Sequence, residues 1–217
     1  MLTLVSQSAF EVNKDLLKEM FDMRRRIFCD RLGWDLTSIN GLEKDQFDHN
    51  EAHYIIYQNP DTLQVIGCVR MMPTSAPHIV RDIFSNTIAP ENRQKVDKIK
   101  WEVSRLGLLP VAKDSSEVGL IRKDTFRLLL AMFEFSQHLG LTEILAVVDF
   151  RMEKIFKICG WPPKRLGQPE IRPDSSAVVV SLEINKATWQ RLKEKSGLLE
   201  PVIPNSELSK IDDVYFR

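Results

Sequence analysis

Three consecutive segments, "IKWEVSRLGL" (99–108), "EVGLIRKDTFRLLLAMFEFSQHLG" (117–140) and "EILAVVD" (143–149), read as strand, long helix and strand. That succession predicts a right-handed parallel crossover, and both strands are apolar enough to be covered on two faces. Ser115 or Ser116 is the candidate N-cap of the helix, and Gly140 is its candidate stop. Upstream, "AHYIIYQ" (52–58) and "LQVIGCVRMMP" (63–73) flank the turn signal "NPDT", which predicts an antiparallel hairpin. A helix over 15–29 precedes the hairpin. After the crossover come a short helix ("FRMEKIFKICG"), a strand ("SAVVVSLEI", 176–184) and a polar helix ("KATWQRLKEK"). The sum is an α/β chain with a mixed sheet. No repeat, low-complexity tract or linker divides it, so all 217 residues are read as one domain, with a C-terminal helix and tail from about 185.

Charge narrows the function. Lys plus Arg and Asp plus Glu each count 30, so the chain as a whole offers no polyanion-binding signal, and neither nucleic acid nor membrane is an expected partner. Cys29, Cys68 and Cys159 lie far apart in apolar contexts with no metal-ligand spacing, and are read as reduced thiols. Neither a secretory leader nor a membrane-length apolar run is present, so the expected compartment is the cytoplasm.

Several charges stand where apolar residues belong. At about 100° per residue, Leu17, Met20, Phe21, Arg24 and Phe28 share one helix face, while Arg25 and Arg26 turn away. Arg70 shares a pleat face with Ile66, Cys68 and Met72, and the opposite face (Val65, Val69, Met71) is apolar too. A buried guanidinium needs a carboxylate partner. Asp45 and Asp48 in "EKDQFDHNEAHYI" are available, and Glu102 and Arg105 interrupt the strand "WEVSRLGL". In a regular strand the last two project to opposite faces. A β-bulge near Val103 or Ser104 turns both to one site and frees the backbone N–H groups of Val103 and Ser104 for an oxyanion. Arg24, Asp45, Asp48, Arg70, Glu102 and Arg105 are therefore expected to form one polar cluster inside a cleft suited to a zwitterionic ligand. The plainer alternatives are a rim-seeking Arg24 and solvated loop acids.

These blocks resemble the acyl-homoserine lactone synthases, or autoinducer synthases. The resemblance rests on "RRRIFCDRLGWDL" (24–36), "EKDQFD" (43–48), "IGCVRMMPT" (66–74), "IVRDIFS" (79–85), "WEVSRLGL" (101–108) and, more loosely, "DFRMEKIFKICGWP" (149–162). It implies an N-acetyltransferase-like, three-layer α/β/α fold, whose twisted mixed sheet is split into a V between two central parallel strands. It also implies an enzyme that transfers an acyl group from a phosphopantetheine thioester to the amine of S-adenosylmethionine, closes the lactone and releases methylthioadenosine. No cofactor or metal is implied. The family's core positions fall on Arg24, Phe28, Trp34, Asp45, Asp48, Arg70, Phe84, Glu102 and Arg105.

The chemistry then assigns expected roles. The substrate amine arrives protonated, so a base must act. Glu102, directly or through water, is the candidate, with Arg105 holding it. Asp45 and Asp48 suit the positive end of the substrate, and Arg24, Arg70 or Arg105 its carboxylate. Phe28 and Trp34 offer aromatic faces to the adenine or the sulfonium, with core packing as the alternative. Phe84 is placed with them by the resemblance alone.

The acyl chain is expected in the V, against Leu106, Ala146, Val148, Met152, Phe156 and Val180. "ILAVVD" carries no hydroxyl near Ala146, which by alignment with the family favours a chain unsubstituted at its third carbon. The stretch before the long helix lacks paired glycines and carries Asp114 and Glu117, acids that repel a diphosphate. This favours acyl carrier protein over acyl-coenzyme A as donor. An acidic carrier calls for basic residues, and Arg151, Lys154, Lys157, Lys164 and Arg165 are the candidates. An N-acyltransferase acting on another amine is the alternative reading.

Overall fold

The parallel crossover predicted from residues 99–149 is present. The computed structural model describes residues 1–5, 10–36, 38–110, 117–118, 121–172 and 175–215. In chain order the principal elements are β1 (Leu2–Val5), α1 (Lys14–Arg25), β2 (His53–Gln58), β3 (Val65–Pro73), α2 (Ile79–Asp82) and β4 (Trp101–Leu108). These are followed by α3 (Lys123–His138), β5 (Glu143–Val148), α4 (Phe150–Cys159), β6 (Ser175–Glu183), α5 (Lys186–Ser196) and α6 (Asn205–Tyr215). The six strands lie in the sheet in that same order, all neighbours antiparallel except β4 and β5, and the short strand Lys164–Arg165 borders β6.

The strands alternate as sheets covered on both faces do. Ile55, Val69, Met71, Ile144, Ala146 and Val148 face the core built on α3, while Tyr54, Ile56, Cys68 and Met72 face α1. Leu145 and Val179 pack with Val80 of α2. Helices therefore cover both faces. Residues Leu128–Ser136 of α3 are buried all round, because α5 and the C-terminal segment enclose the helix from outside: Glu134 accepts the N–H groups of Val202 and Ile203. Among the described residues no helix is long and apolar enough to cross a membrane.

The structure differs from the pattern in three places. α3 begins at Lys123, not near residue 117; a short ladder of Glu117–Val118 on Ile121–Arg122 precedes it, and extended Arg122 is its N-cap. Ser115, Ser116 and Asp114 lie outside the described residues. β1 and α6 were not foreseen: four strand residues are too few for a period to register, and the tail's polar sequence hides Ile211, which packs into the core. The three cysteines are free thiols, Cys68 and Cys159 buried and Cys29 half-buried.

What positions the site is the short pairing of the parallel strands. β4 and β5 are in register only at Glu102↔Leu145 and Val103↔Ala146, and beyond that point they part. The V so formed opens a cleft of about 1330 Å³.

Candidate active site

One end of the cleft is shaped by the end of α1. The helix buries Arg24 completely, leaves Arg25 on Asp22 and Asp30, and continues into a π-helical turn, Arg26–Arg31. Such turns redirect side chains and recur at functional sites. This one carries Phe28 onto β4 at Gly107, where an added Cβ would sit 3.1 Å from the Phe28 Cζ. Gly33, at φ 66°, then reverses the chain, a conformation that favours glycine. The reversal lets the Trp34 N–H donate to the Phe28 carbonyl at 2.9 Å and stacks the two rings 5.1 Å apart at 25°. Both line the cleft, and Trp34 is 37% exposed.

Behind this aromatic pair lies a closed network of three arginines and three carboxylates. Arg24 donates to both Asp48 oxygens, at 2.7 and 2.9 Å, and from Nε to Glu43 at 2.5 Å. Arg70 grips Asp45 with two bonds, at 2.6 and 3.2 Å, reaches Asp48 at 2.9 Å and donates from Nε to the Ser104 hydroxyl. Arg105 donates to Glu43 at 3.0 Å and to Asp45 at 2.6 Å. The Tyr54 hydroxyl and the Asp45 N–H complete Asp48. The formal charges cancel, which is what a nearly dry cluster requires. Burial alone would raise the Asp48 carboxyl, but the Arg70 and Arg24 guanidiniums outweigh it and hold the pKa far below the usual range. Burial likewise opposes ionisation of Arg24, and Asp48 and Glu43 outweigh it, leaving its pKa above the ordinary value.

Glu43 is the member sequence reasoning missed. It ends a two-residue strand, Leu42–Glu43, too short for periodicity to register, and Glu102 had already been given the place of the third carboxylate. Of the network only Glu43, Asp45 and Arg105, with Ser104, line the cleft; Arg24, Arg70 and Asp48 lie behind them. A substrate carboxylate therefore has Arg105 within reach, and not Arg24 or Arg70.

Glu102 does not join this network. It shares the sheet face of Ser104, but two residues earlier it meets α2. Its carboxylate accepts from His78 Nδ1 at 2.8 Å and from the N–H groups of Ile79 (3.3 Å) and Val80 (2.7 Å). It is 1% exposed and does not line the cleft. The expected single cluster of six thus becomes five of the six plus Glu43, with Glu102 anchoring the segment that presents Ile79, Ile83 and Phe84 to the cleft.

The bulge is also displaced. Val103 and Ser104 sit inside regular pairing, opposite Met71 and Arg70; the irregularity falls next, where Arg105 and Leu106 together oppose Val69. Arg105 takes φ 54°, left-handed for a bulky side chain and a seat of local strain. The residues at the irregularity, whose backbone N–H groups a bulge can leave unpaired, are therefore Arg105 and Leu106, not Val103 and Ser104.

Apart from Asp35, Asn40, Lys44, Gln46, Asp149 and Ser176, the rest of the cleft is apolar. Val103, Leu106, Met132, Ala146, Val148, Met152 and Phe156 line it, Met132 of α3 being an addition to the sequence reading. Val180, on the strand beyond Ala146, does not line it and is fully buried in the α3 core. Of the five basic docking candidates, Lys157 and Arg165 are held by Glu153 and Lys164 by Glu183, which leaves Arg151 and Lys154 without an ion pair among the described residues.

A family model described as autoinducer synthase matches residues 8–192. The acyl-homoserine-lactone synthase of Agrobacterium fabrum (strain C58 / ATCC 33970) is 30% identical over 192 residues, covering 87% of this chain and 88% of that protein. The structure of the CoA-dependent acyl-homoserine lactone synthase BjaI, with MTA, is similar at a TM-score of 0.77 and 20% identity, over 99% of each chain. FeeM, an N-acyl amino acid synthase from uncultured soil microbes, is similar at a TM-score of 0.56 and 12% identity, over 76% of this chain and 91% of that one.

Proposed function

The chain belongs to the autoinducer synthase family, and from that premise we propose how its cleft divides the work of the reaction. It is an acyl-homoserine-lactone synthase, an acyltransferase that makes a quorum-sensing signal. The observation that carries the reading is that one cleft joins two unlike ends. A charged and aromatic end (Phe28, Trp34, Asp45, Arg105) and an apolar slot (Leu106, Met132, Ala146, Met152, Phe156) meet at the Arg105 bulge.

S-adenosylmethionine occupies the charged end, its adenine or sulfonium against Trp34 and Phe28, its ammonium near Asp45 and its carboxylate towards Arg105. The acyl chain fills the apolar slot, which brings the thioester carbonyl to the bulge. There the backbone N–H groups of Arg105 and Leu106 suit the oxyanion that forms as the amine nitrogen attacks. The N–C bond forms, the C–S bond of the thioester breaks, and the donor leaves as a thiol. Before attack the ammonium loses a proton. Glu102 takes it through water, a route favoured over direct contact because its carboxylate lies behind the cleft wall. The substrate carboxylate then attacks the carbon bound to the sulfonium, an activated leaving group, so orientation carries most of the second step.

Acyl carrier protein is the proposed donor. The α3 N-terminus, where a diphosphate would be drawn by the helix dipole, already holds a carboxylate: Asp124 accepts from Tyr57 (2.7 Å), Arg122 (2.9 Å) and Arg127 (3.0 Å). This replaces the argument from Asp114 and Glu117, since the helix begins after them. The absence of a hydroxyl at Ala146 favours an unsubstituted chain.

The test is incubation with S-adenosylmethionine and matched acyl donors, with products read by mass spectrometry. Acyl-homoserine lactone and methylthioadenosine in equal amounts are expected, at higher kcat/KM for the carrier-bound donor. An acylated amine without methylthioadenosine would favour an N-acyltransferase acting on another amine.

A further inference from the structure

We propose that Arg31 and Arg151 form a clamp for the phosphate ester of the donor's phosphopantetheine arm, at the open end of the V. The proposal rests on the reading of the cleft as a thioester site. Arg31 closes the π-helical turn, and its Nη1 donates to the carbonyl of Leu108, the last residue of β4, at 3.3 Å. Arg151 stands in the first turn of α4, just past the end of β5. Their chain neighbours Leu32 and Met152 both line the cleft, one from each side. The two arginines therefore stand at the ends of the two strands that part, Arg31 on the end of β4 and Arg151 just past β5.

Neither arginine has an ion pair among the described residues, as Lys154 has none, whereas Arg165 and Lys157 are held by Glu153 and Lys164 by Glu183. Of the two acids that flank Arg151 at two residues' distance, Asp149 accepts the Met152 N–H at 2.5 Å and Glu153 is paired with Lys157 and Arg165. Partial burial and the charge of Arg151 both push the Arg31 pKa below the ordinary guanidinium value. Two like charges close enough for one to disfavour the other are stabilised by an anion that bridges them. With the acyl chain in the slot near Met132 and the thioester at Arg105, the pantetheine arm leaves past Leu106 and Met152, and the first anionic group along it is the phosphate. That group is common to coenzyme A and to the carrier protein, so the clamp serves either donor.

Titration of phosphopantetheine and of pantetheine, both unacylated, into the wild-type protein, Arg31→Ala, Arg151→Ala and the double variant tests the proposal. The wild type should bind the phosphorylated compound about tenfold more tightly or better, as expected for charge-assisted bonds. Each substitution should cut that preference several-fold, the double variant should abolish it, and added salt should weaken it. A wild type without the preference, or variants that lose affinity for both compounds equally, would overturn the clamp. In turnover, acyl-carrier-protein and acyl-coenzyme A should lose kcat/KM by similar factors. A loss confined to the carrier would mean that the arginines meet the carrier's acidic surface instead, and would also overturn it. Because the titration needs no turnover, a protein that prefers phosphopantetheine yet makes no lactone would sink the synthase reading and leave the clamp standing.

Discussion

The Arg105 guanidinium reaches Glu43 at 3.0 Å from a backbone held at φ 54°. Strain at one residue and an ion pair 62 positions away in sequence are thus two parts of one construction: the bulge aims Arg105, and Glu43, itself locked to buried Arg24, holds it there.

Glu43→Gln leaves fully buried Arg24 with Asp48 as its one remaining carboxylate and unbalances the charge of the network. The expected cost is about 3–5 kcal/mol of folding stability, the range for breaking a buried charge pair. Urea unfolding should show a lower midpoint with unchanged slope, and an unchanged midpoint would refute the closed network. Arg24→Ala should act in the same way, through stability first, since Arg24 does not reach the cleft.

Trp34→Ala removes a half-exposed ring that stacks on Phe28 and contributes little to the core. Its melting temperature should stay within a few degrees of wild type, while affinity for S-adenosylmethionine falls by about 1–2 kcal/mol, the loss of a cation–π or stacking partner. A large fall in melting temperature with unaltered affinity would make Trp34 a packing residue instead.

His53 gives the protein an acid weakness. Its ring lies between Trp101 and Phe135, 5.4 and 6.1 Å away between centroids, and burial lowers its pKa to about 4. The unfolded value is about 6.5. The contribution of the neutral ring is therefore complete above about pH 6.5 and is lost as pH falls towards 4, by roughly 3 kcal/mol in all. Asp48, whose folded pKa is depressed below an unfolded value of about 3.9, keeps its contribution throughout that window and loses it only in stronger acid. Stability measured at pH 7 and pH 5 should differ in the wild type and differ less in His53→Phe. Equal pH dependence of the two would remove His53 from the account.

Glu102→Gln tests the relay. The amide cannot take the proton, and its NH2 group also faces the donors His78, Ile79 and Val80, so both kcat and stability should fall, the latter by about 1–3 kcal/mol. His78→Gln disturbs the same anchor without removing the carboxylate, and should lower kcat far less. Comparable kcat losses in the two variants would make Glu102 an anchor of the α2 segment and nothing more.

The periods of the sequence carried the fold well where elements are long. Arg24 turns inward because helix geometry leaves it nowhere else to point, and the Val69 and Met71 face of β3 packs on α3 as alternation requires. The site was legible only in part. Spacing speaks of one element at a time, whereas Glu43 earns its place by meeting α1 and β4, elements far from it in sequence. The fate of Glu102 turned on where along β4 the bulge fell: a shift to Arg105 and Leu106 left Glu102 beside α2 rather than beside Arg105. A sequence marks a strand as interrupted more readily than it marks the residue at which the interruption falls.

The central claim is that the exposed edge of the ionic network receives the amino-acid end of S-adenosylmethionine. Calorimetric titration of S-adenosylmethionine into the wild type and Asp45→Asn tests it most directly, since Asp45 is the network carboxylate most open to the cleft, its side chain 19% exposed. The account predicts affinity weaker by about tenfold or more in a variant that still melts cooperatively. Equal affinity in the two proteins would contradict it.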